Sequence, residues 1–140
     1  MSNVDSVQAI YGAYGRADMP AILERMAEDV EFEPWPDNHA QNEGVPWFTH
    51  RRGHDGVAAF FAGISDWTVN EFAVGTIMDG GDKVAVEIVF DATLPGGTSY
   101  RDEEIHLWEF GEDGKVTRLR HYSDTAKHID AARKENAVRA

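Results

Sequence analysis

The sequence predicts an α+β domain in which helices cover one face of a mostly antiparallel sheet, and three observations carry that expectation. The opening residues repeat apolar side chains at spacings of three and four, the period of an amphipathic helix. From Thr68 to Ser123 four alternating segments follow one another, separated by "DGG", "PGG" and "GEDG", glycine-bearing turns of the kind that join antiparallel neighbours. Between these halves "GHDGVAAFFAGI" resumes the helical period. Helices at the start and in the middle suffice to cover one face of a sheet of roughly four to six strands.

Each element follows in chain order. Val4, Val7, Ile10, Tyr11 and Tyr14, then Ile22, Leu23 and Met26, give two helices or one bent helix; Asp18 is placed to cap the second piece, with Pro20 in its first turn. "VEFEPW" alternates as a short strand that stops where Pro34 and Pro36 remove donors. "PDNHAQNEGVPWFTHRR" has no period yet carries Trp47 and Phe48, so it either folds over the body as a flap or covers a cavity. After the middle helix, with Val57, Phe60, Phe61 and Ile64 inward, come the strands "TVNEFAVGTIM", "DKVAVEIVFDATL", "TSYRDEEIHLWEF" and "KVTRLRHYS". "DTAKHIDAARKENAVRA" closes the chain as a short, frayed helix capped by Asp124.

The chain of 140 residues can bury a real core, and no repeat, linker or boundary divides it. One domain is expected over residues 1–140, with its core from about 4 to 128 and a C-terminal tail from about 129 to 140. Thirteen Lys plus Arg against twenty-five Asp plus Glu give a formal net charge of -12, the wrong sign for a nucleic-acid partner. The lack of cysteine removes disulfides, thiolate metal sites and cysteine nucleophiles. With no secretory pattern and no run of about 18 apolar residues, no membrane partner is expected, and the chain reads as a soluble cytoplasmic protein.

Strand side chains alternate between faces, which sorts the meander. Val84, Val86, Ile88 and Phe90 form an apolar face that must be covered. The row of Asp102, Glu104, His106 and Trp108 and the row of Leu119 and His121 are its natural partners, so Glu104, His106 and His121 fall under the helices. Val89, Ile105 and Leu107 then lie outside, where an apolar row across neighbouring strands calls for a homodimer.

His106 and His121 among apolar residues are the candidate chemistry, because histidine holds either proton state near neutral pH and two of them can divide the roles of donor and acceptor. His121, or a desolvated Glu104, takes a proton; His106 and Tyr14, with Tyr11 as the rival of Tyr14, stabilise the oxygen where charge develops. Tyr11, Val86, Ile88, Phe90, Asp102, Trp108 and Leu119 are expected to bind the ligand, with Trp35, Trp47 and Phe48 as an apolar mouth. That suits a small apolar or aromatic organic molecule. Glu104, His106 and His121 lack the local spacing of a metal motif, and no phosphate-cradling loop, dinucleotide fingerprint or nucleophile elbow is present, so no metal and no cofactor is expected. Arg51 and Arg52 either meet a carboxylate or phosphate on a ligand or form a solvated basic pair, the second reading being favoured.

"AIYGAYGRADMPAILERMAEDVEFEP", "GHDGVAAFF" and "LWEFGEDGKVTRLRHYSDTA" together resemble the nuclear-transport-factor-2-like superfamily, in its SnoaL-like and ketosteroid-isomerase-like branch, from about Val4 to His128. The resemblance implies a cone-shaped roll, a curved mixed sheet wrapped around N-terminal helices and enclosing a pocket, often dimeric through the outer sheet face. Against the isomerase pattern, Glu33 matches a neighbouring glutamate, Pro34 stands where the aspartate base belongs, His106 stands where the oxyanion-stabilising aspartate belongs, and the tyrosine falls near Ile10 or Tyr11. Scytalone-type dehydratases are similar at Tyr14, with Gly15 in place of a carboxylate. Epoxide-hydrolase-like members use an arginine relay, for which Arg101 and Glu103 point outward, and SnoaL-like cyclases use an acid/base, for which His121 or His106 is available. The implied function is a cofactor-independent isomerase, cyclase or dehydratase, with a non-catalytic ligand-binding or accessory protein as the alternative.

Overall fold

A computed structural model describes residues 1–139. The chain runs α1 (Asn3–Gly15), α2 (Met19–Glu24), β1 (Met26–Phe32), α3 (His39–Asn42), a 3-10 turn at Pro46–Phe48, β2 (Arg51–Arg52), α4 (Gly53–Gly63), β3 (Thr68–Asp79), β4 (Lys83–Thr93), β5 (Ser99–Phe110), β6 (Val116–Tyr122) and α5 (Thr125–Arg139). The six strands form one open sheet in the order β2-β1-β6-β5-β4-β3. It is mixed, since β1 lies parallel to β6 and every other pair is antiparallel. This is the α+β cone expected from the sequence.

Local chemistry explains the helix ends. Ser2 and Asp5 close a capping box at the start of α1, satisfying donors that a helix N-terminus leaves free. Asp18 accepts from the Ala21 amide and starts α2, with Pro20 in its first turn. The inner face of α1 buries Val7, Ile10 and Ala13 against Val84, Val86 and Trp108 of the sheet. In α4, Val57 is fully buried, and Gly53 opens the helix at φ 71°, where an added Cβ would stand 3.1 Å from the Glu28 carbonyl oxygen, a conformation and a clearance that suit glycine.

Two expectations are corrected. The first strand begins earlier than "VEFEPW" and ends at Phe32, because Glu33 adopts φ 59° and turns the chain out of the sheet before Pro34 is reached. The aperiodic loop covers a cavity with Trp47 and Phe48, and Gln41 ties it down by donating to the carbonyls of Glu33 and Phe48. The last helix is neither short nor a frayed tail. It runs 15 residues, and buries His128, Ile129, Ala131, Ala132 and Glu135. Its charge-rich surface hides a narrow stripe of small and apolar residues, which the helical period alone made easy to miss.

Cross-strand register fixes the inner face. Val84 pairs with Trp108, Val86 with His106, Ile88 with Glu104 and Phe90 with Asp102, while His106 pairs with His121 and Trp108 with Leu119. On the outer face Val89, Ile105 and Leu107 are half-buried, and Met78 of β3, paired with Ala85, is exposed on the same side. Among the described residues no helix is long and apolar enough to cross a membrane.

Candidate active site

Histidine chemistry depends on which ring nitrogens are already taken, and three histidines border one cavity here. The pleat of β5 puts Glu104, His106 and Trp108 on the concave side, and β6 sets His121 opposite His106 with ring centroids 4.3 Å apart. Tyr11 and Tyr14 come from α1, Phe60 and Phe61 from α4, Ile64 from the cap that ends it, Trp47 and Phe48 from the loop, and His128 from α5. They enclose about 90 Å³, room for several waters or part of a small ligand. The cavity borders a wider groove between α1, α4 and β3, sharing Tyr11, Tyr14, Phe61, Ile64, Trp67 and Phe72 as its wall.

Proton positions follow from groups that can only donate or only accept. The Trp108 indole donates to the Tyr11 hydroxyl (3.0 Å), which lies 2.8 Å from His106 Nδ1; His106 Nε2 lies 3.1 Å from Glu104. Burial would raise the Glu104 carboxyl, but the hydrogen bonds of His106 and His128 outweigh it and hold the group well below the usual range. Glu104 is therefore an acceptor, the His106 proton sits on Nε2, and Nδ1 accepts the Tyr11 proton. Burial and the charge of His121 push His106 down to about 4 against the pull of Glu104, so it is neutral at pH 7. Both of its nitrogens are used inside the protein, which leaves none to donate to a substrate oxygen.

The same reasoning fixes His128. Trp47 Nε1 donates to its Nδ1 at 2.9 Å, and an indole N–H has no lone pair to offer. The His128 proton is thus on Nε2, facing Asp102 at 2.7 Å and Glu104 at 3.4 Å. Burial opposes a charge on this ring and the hydrogen bonds to Asp102 and Glu104 outweigh it, raising the pKa; a second proton at Nδ1 would, however, confront the Trp47 N–H. Asp102, Glu104 and His128 have donor atoms close enough to share an ion, but the nitrogen that faces the carboxylates carries the proton, so these groups fit a hydrogen-bonded cluster.

His121 differs. Its Nδ1 contacts the Glu33 carboxylate, which also accepts the His121 backbone amide at 2.8 Å. Burial disfavours a charge on this ring, and Glu33 and then Glu104 more than offset it, raising its pKa. No protein group bonds Nε2 among the described residues. Glu33 is fully buried and reaches this position through its left-handed backbone, a conformation that costs an L-residue roughly 1–2 kcal/mol. Hydrogen bonds from Glu33 N to the Leu119 carbonyl and from Trp35 N and Gln41 to the Glu33 carbonyl clamp it there. Two further cavity hydroxyls, Tyr14 and Tyr100, make no protein hydrogen bond among the described residues. Burial raises both phenols, and for Tyr100 the charges of Glu104 and Asp102 add to it, so both stay protonated donors.

Of the residues singled out from the sequence, Glu104, His106, His121, Tyr11, Tyr14, Trp47, Phe48, Phe90, Trp108 and Leu119 line the cavity. Val86 and Ile88 do not: they are core residues beneath it. Asp102 is buried behind it, on His128 and the Asp124 amide. Trp35 is not at the mouth. Its ring packs on Tyr122 at 4.5 Å under the Arg120 guanidinium, because the turn at Glu33 carries it to the outside. Sequence reasoning missed Glu33, Tyr100 and His128 as site groups, along with Trp67 and Phe72 in the wall. A glutamate directly before a strand-ending proline was the available signal for the first; nothing local marked the others.

The sequence profile of the SnoaL-like domain matches residues 7–119. An NTF2-like protein of unknown function from Burkholderia pseudomallei is similar in structure, with 27% identity, 94% of this chain and 98% of that one covered and a TM-score of 0.77. TerC, co-crystallized with polyporic acid, shares the fold at 23% identity, 94% and 98% coverage and a TM-score of 0.75. So does a Mycobacterium tuberculosis protein in complex with estradiol-17beta-hemisuccinate, at 19% identity, 91% and 98% coverage and a TM-score of 0.70. No curated protein matches the chain significantly. A profile match over most of the chain, on a cone whose helices and sheet enclose the cavity described above, makes this chain a member of the SnoaL-like domain family.

Proposed function

We propose that the chain is an acid/base enzyme acting, without metal or organic cofactor, on a small and mostly apolar organic molecule that carries an enolisable or dehydratable oxygen function. The observation that carries this reading is the asymmetry among the histidines: among the described residues, His121 alone pairs a buried carboxylate on one nitrogen with a second nitrogen free of protein partners. In the proposed step Nε2 takes a proton from carbon beside a carbonyl, and Glu33 stabilises the imidazolium that results. The electron pair moves onto the carbonyl oxygen, where the hydroxyls of Tyr14 and Tyr100 donate. Returning the proton to another carbon completes an isomerisation, delivering it to a departing hydroxyl completes a dehydration, and attack of the enolate on a second carbonyl closes a ring whose new alkoxide takes the proton back from His121.

The almost wholly aromatic and aliphatic wall supports a flat, apolar substrate, and the polyporic acid and estradiol ester bound by two neighbours of the same fold support that ligand class. The reading includes a single cytoplasmic domain that dimerises through the outer row of Val89, Ile105 and Leu107. His106 takes a positioning role, holding Tyr11 and Glu104. A second reading, ligand binding without turnover, is favoured by the fact that His106 and His128 have both ring nitrogens occupied.

A panel of cyclic ketones, hydroxyketones and linear polyketones, followed by absorbance and mass spectrometry, separates the two. The enzyme reading expects turnover that His121→Asn lowers by about 10²–10⁴-fold and that Tyr14→Phe lowers less. Retention of wild-type turnover by His121→Asn sinks it, and ligands that bind tightly to both proteins without conversion establish the binding reading.

A further inference from the structure

A second chamber lies behind the Trp47–Trp67 pair, with no part in the proton chemistry described above. It holds about 170 Å³ between the 3-10 turn, the end of α4, the β4–β5 hairpin and α5. One wall is aromatic, the two indoles meeting edge to face at 4.9 Å. The polar groups on the other walls are Arg51, Glu135, Asn136 and Arg139.

Two of those groups are unsatisfied in opposite senses. Arg51 Nε is buried with no acceptor, and among the described residues no carboxylate lies within ion-pair distance of its guanidinium. Its neighbour Arg52 is paired with Glu31 at 3.5 Å, and Arg101, Arg118 and Arg133 also have carboxylate partners. Glu135 is the converse. Its side chain is 6% exposed, Oε2 accepts the Gly96 amide at 2.7 Å, and Oε1 is buried with no donor. Arg139 reaches it only at 4.0 Å and from a largely exposed position. Arg51 and Glu135 thus line one chamber, the first with a guanidinium that has no carboxylate and the second with an oxygen that has no donor among the described residues, and a molecule seated there with a small adjustment of both side chains supplies both partners.

We infer that this chamber binds a small carboxylic acid bearing a hydroxyl group, with its carboxylate on Arg51, its hydroxyl donating to Glu135, and its apolar body against Trp47 and Trp67. Two arginines against one glutamate leave the chamber with a local excess of positive charge, which selects an anion even on a chain of net charge -12. The guanidinium fork matches carboxylate geometry better than an ammonium would. Of the two roles open to the basic pair on β2, Arg52 takes the solvated one and Arg51 the ligand-facing one.

The test uses the full chain and 4-hydroxybenzoate as probe, with benzoate and 4-methylphenol as matched molecules lacking the hydroxyl or the carboxylate. Titration calorimetry should show saturable binding of 4-hydroxybenzoate, and amide resonances of Gly63, Gly96 and Asn136 should shift. Arg51→Met, which keeps the stem and loses the charge, should weaken binding at least about tenfold, and 4-methylphenol, which lacks the carboxylate, should bind as weakly; Glu135→Gln and the loss of the hydroxyl in benzoate should weaken it less. His121→Asn should leave it unchanged, which separates failure here from failure of the proposed enzyme. Circular dichroism and a melt check each variant's fold, and Arg51→Gln substitutes if Arg51→Met does not fold. Wild-type protein that shows no saturation up to about 10 mM probe, Arg51 variants that bind as well as wild type, or shifts confined to residues around His106 and His121 would each overturn the inference.

Discussion

Replacing Glu33 with Gln isolates the electrostatic part of the proposed mechanism with little disturbance of packing. Glu33 Oε1 accepts the His121 amide and faces Nδ1, and a glutamine carbonyl keeps both. Oε2 is buried without a partner among the described residues, so an amide group in its place breaks no hydrogen bond. What disappears is the negative charge against the ring. Two unit charges about 4 Å apart interact by roughly 4 kcal/mol at an effective dielectric constant of 20, and each 1.36 kcal/mol is about one pKa unit. Part of that charge is screened through the cavity, so we expect the His121 pKa to fall by about 1–3 units. The base must be deprotonated to act; hence kcat/KM of the wild type should rise with pH through a midpoint above 6.5, the ordinary histidine value from which it is raised. In Glu33→Gln that midpoint should move down by at least about one unit, while the plateau rate falls because a weaker base accepts the proton less readily. A pH–rate profile on any turned-over substrate, with the histidine titration followed by NMR, measures both. An unshifted midpoint would refute the assignment of Glu33 as the partner of the base, and a shifted titration with an unchanged rate would refute His121 as the base.

Tyr11→Phe should destabilise the fold by about 2–6 kcal/mol in urea, because it strands the Trp108 N–H and His106 Nδ1 together, at about 1–3 kcal/mol for each orphaned group. Trp47→Phe removes the donor that holds the His128 lone pair, so the His128 pKa should rise by about one unit in an NMR titration; no change would show that this contact does not set the tautomer. Stability should fall as pH drops from 6.5 toward 4, since His106 binds its proton near pH 4 when folded and near 6.5 when unfolded, so the unfolded chain holds more protons in that window. The 2.5-unit gap is worth at most about 3 kcal/mol. His106→Gln, which can accept from Tyr11 and donate to Glu104 without titrating, should flatten this limb in urea midpoints taken across that pH range.

The fold was legible because its signals are local and repetitive. Alternation over Lys83–Thr93 and Ser99–Phe110, with glycine turns between, determines both the meander and its inner face, and that face carries Glu104, His106 and His121 to one place. What stayed hidden depends on register or on single backbone angles. Glu33 looked like a residue beside the important position because alternation cannot announce a left-handed turn; that turn alone aims its carboxylate under β6 and throws Trp35 outward. His128 sits in a charge-rich helix whose docking is set by Asp102 on a distant strand, a pairing no period in the sequence reports. His106 is a different case: alternation places it on the concave face, but the Tyr11 and Glu104 bonds that occupy its nitrogens are visible only once the side chains are placed.

The charge inventory of the site leads to one more measurable consequence. Asp102, Glu104 and Glu33 are carboxyl groups inside an apolar wall, and two of the three histidines beside them are held in neutral tautomers by Tyr11 and Trp47. Buried anions without a counter-charge are expensive, and the group left free to balance them is His121, whose pKa is raised. An apolar ligand that enters the cavity displaces water near this ring and strengthens the desolvation that disfavours its charge. Ligand binding and deprotonation of His121 are therefore linked with the same sign: the ligand releases a proton, and its affinity rises with pH through the His121 pKa. Calorimetric titrations of one apolar ligand in two buffers of different ionisation enthalpy, at a pH near that pKa, give the proton count directly. We expect a release of a fraction of a proton that vanishes in Glu33→Gln, where the ring is already neutral; uptake, or no transfer in the wild type, would mean that the cavity does not desolvate His121 when it fills and that the base is not poised by burial.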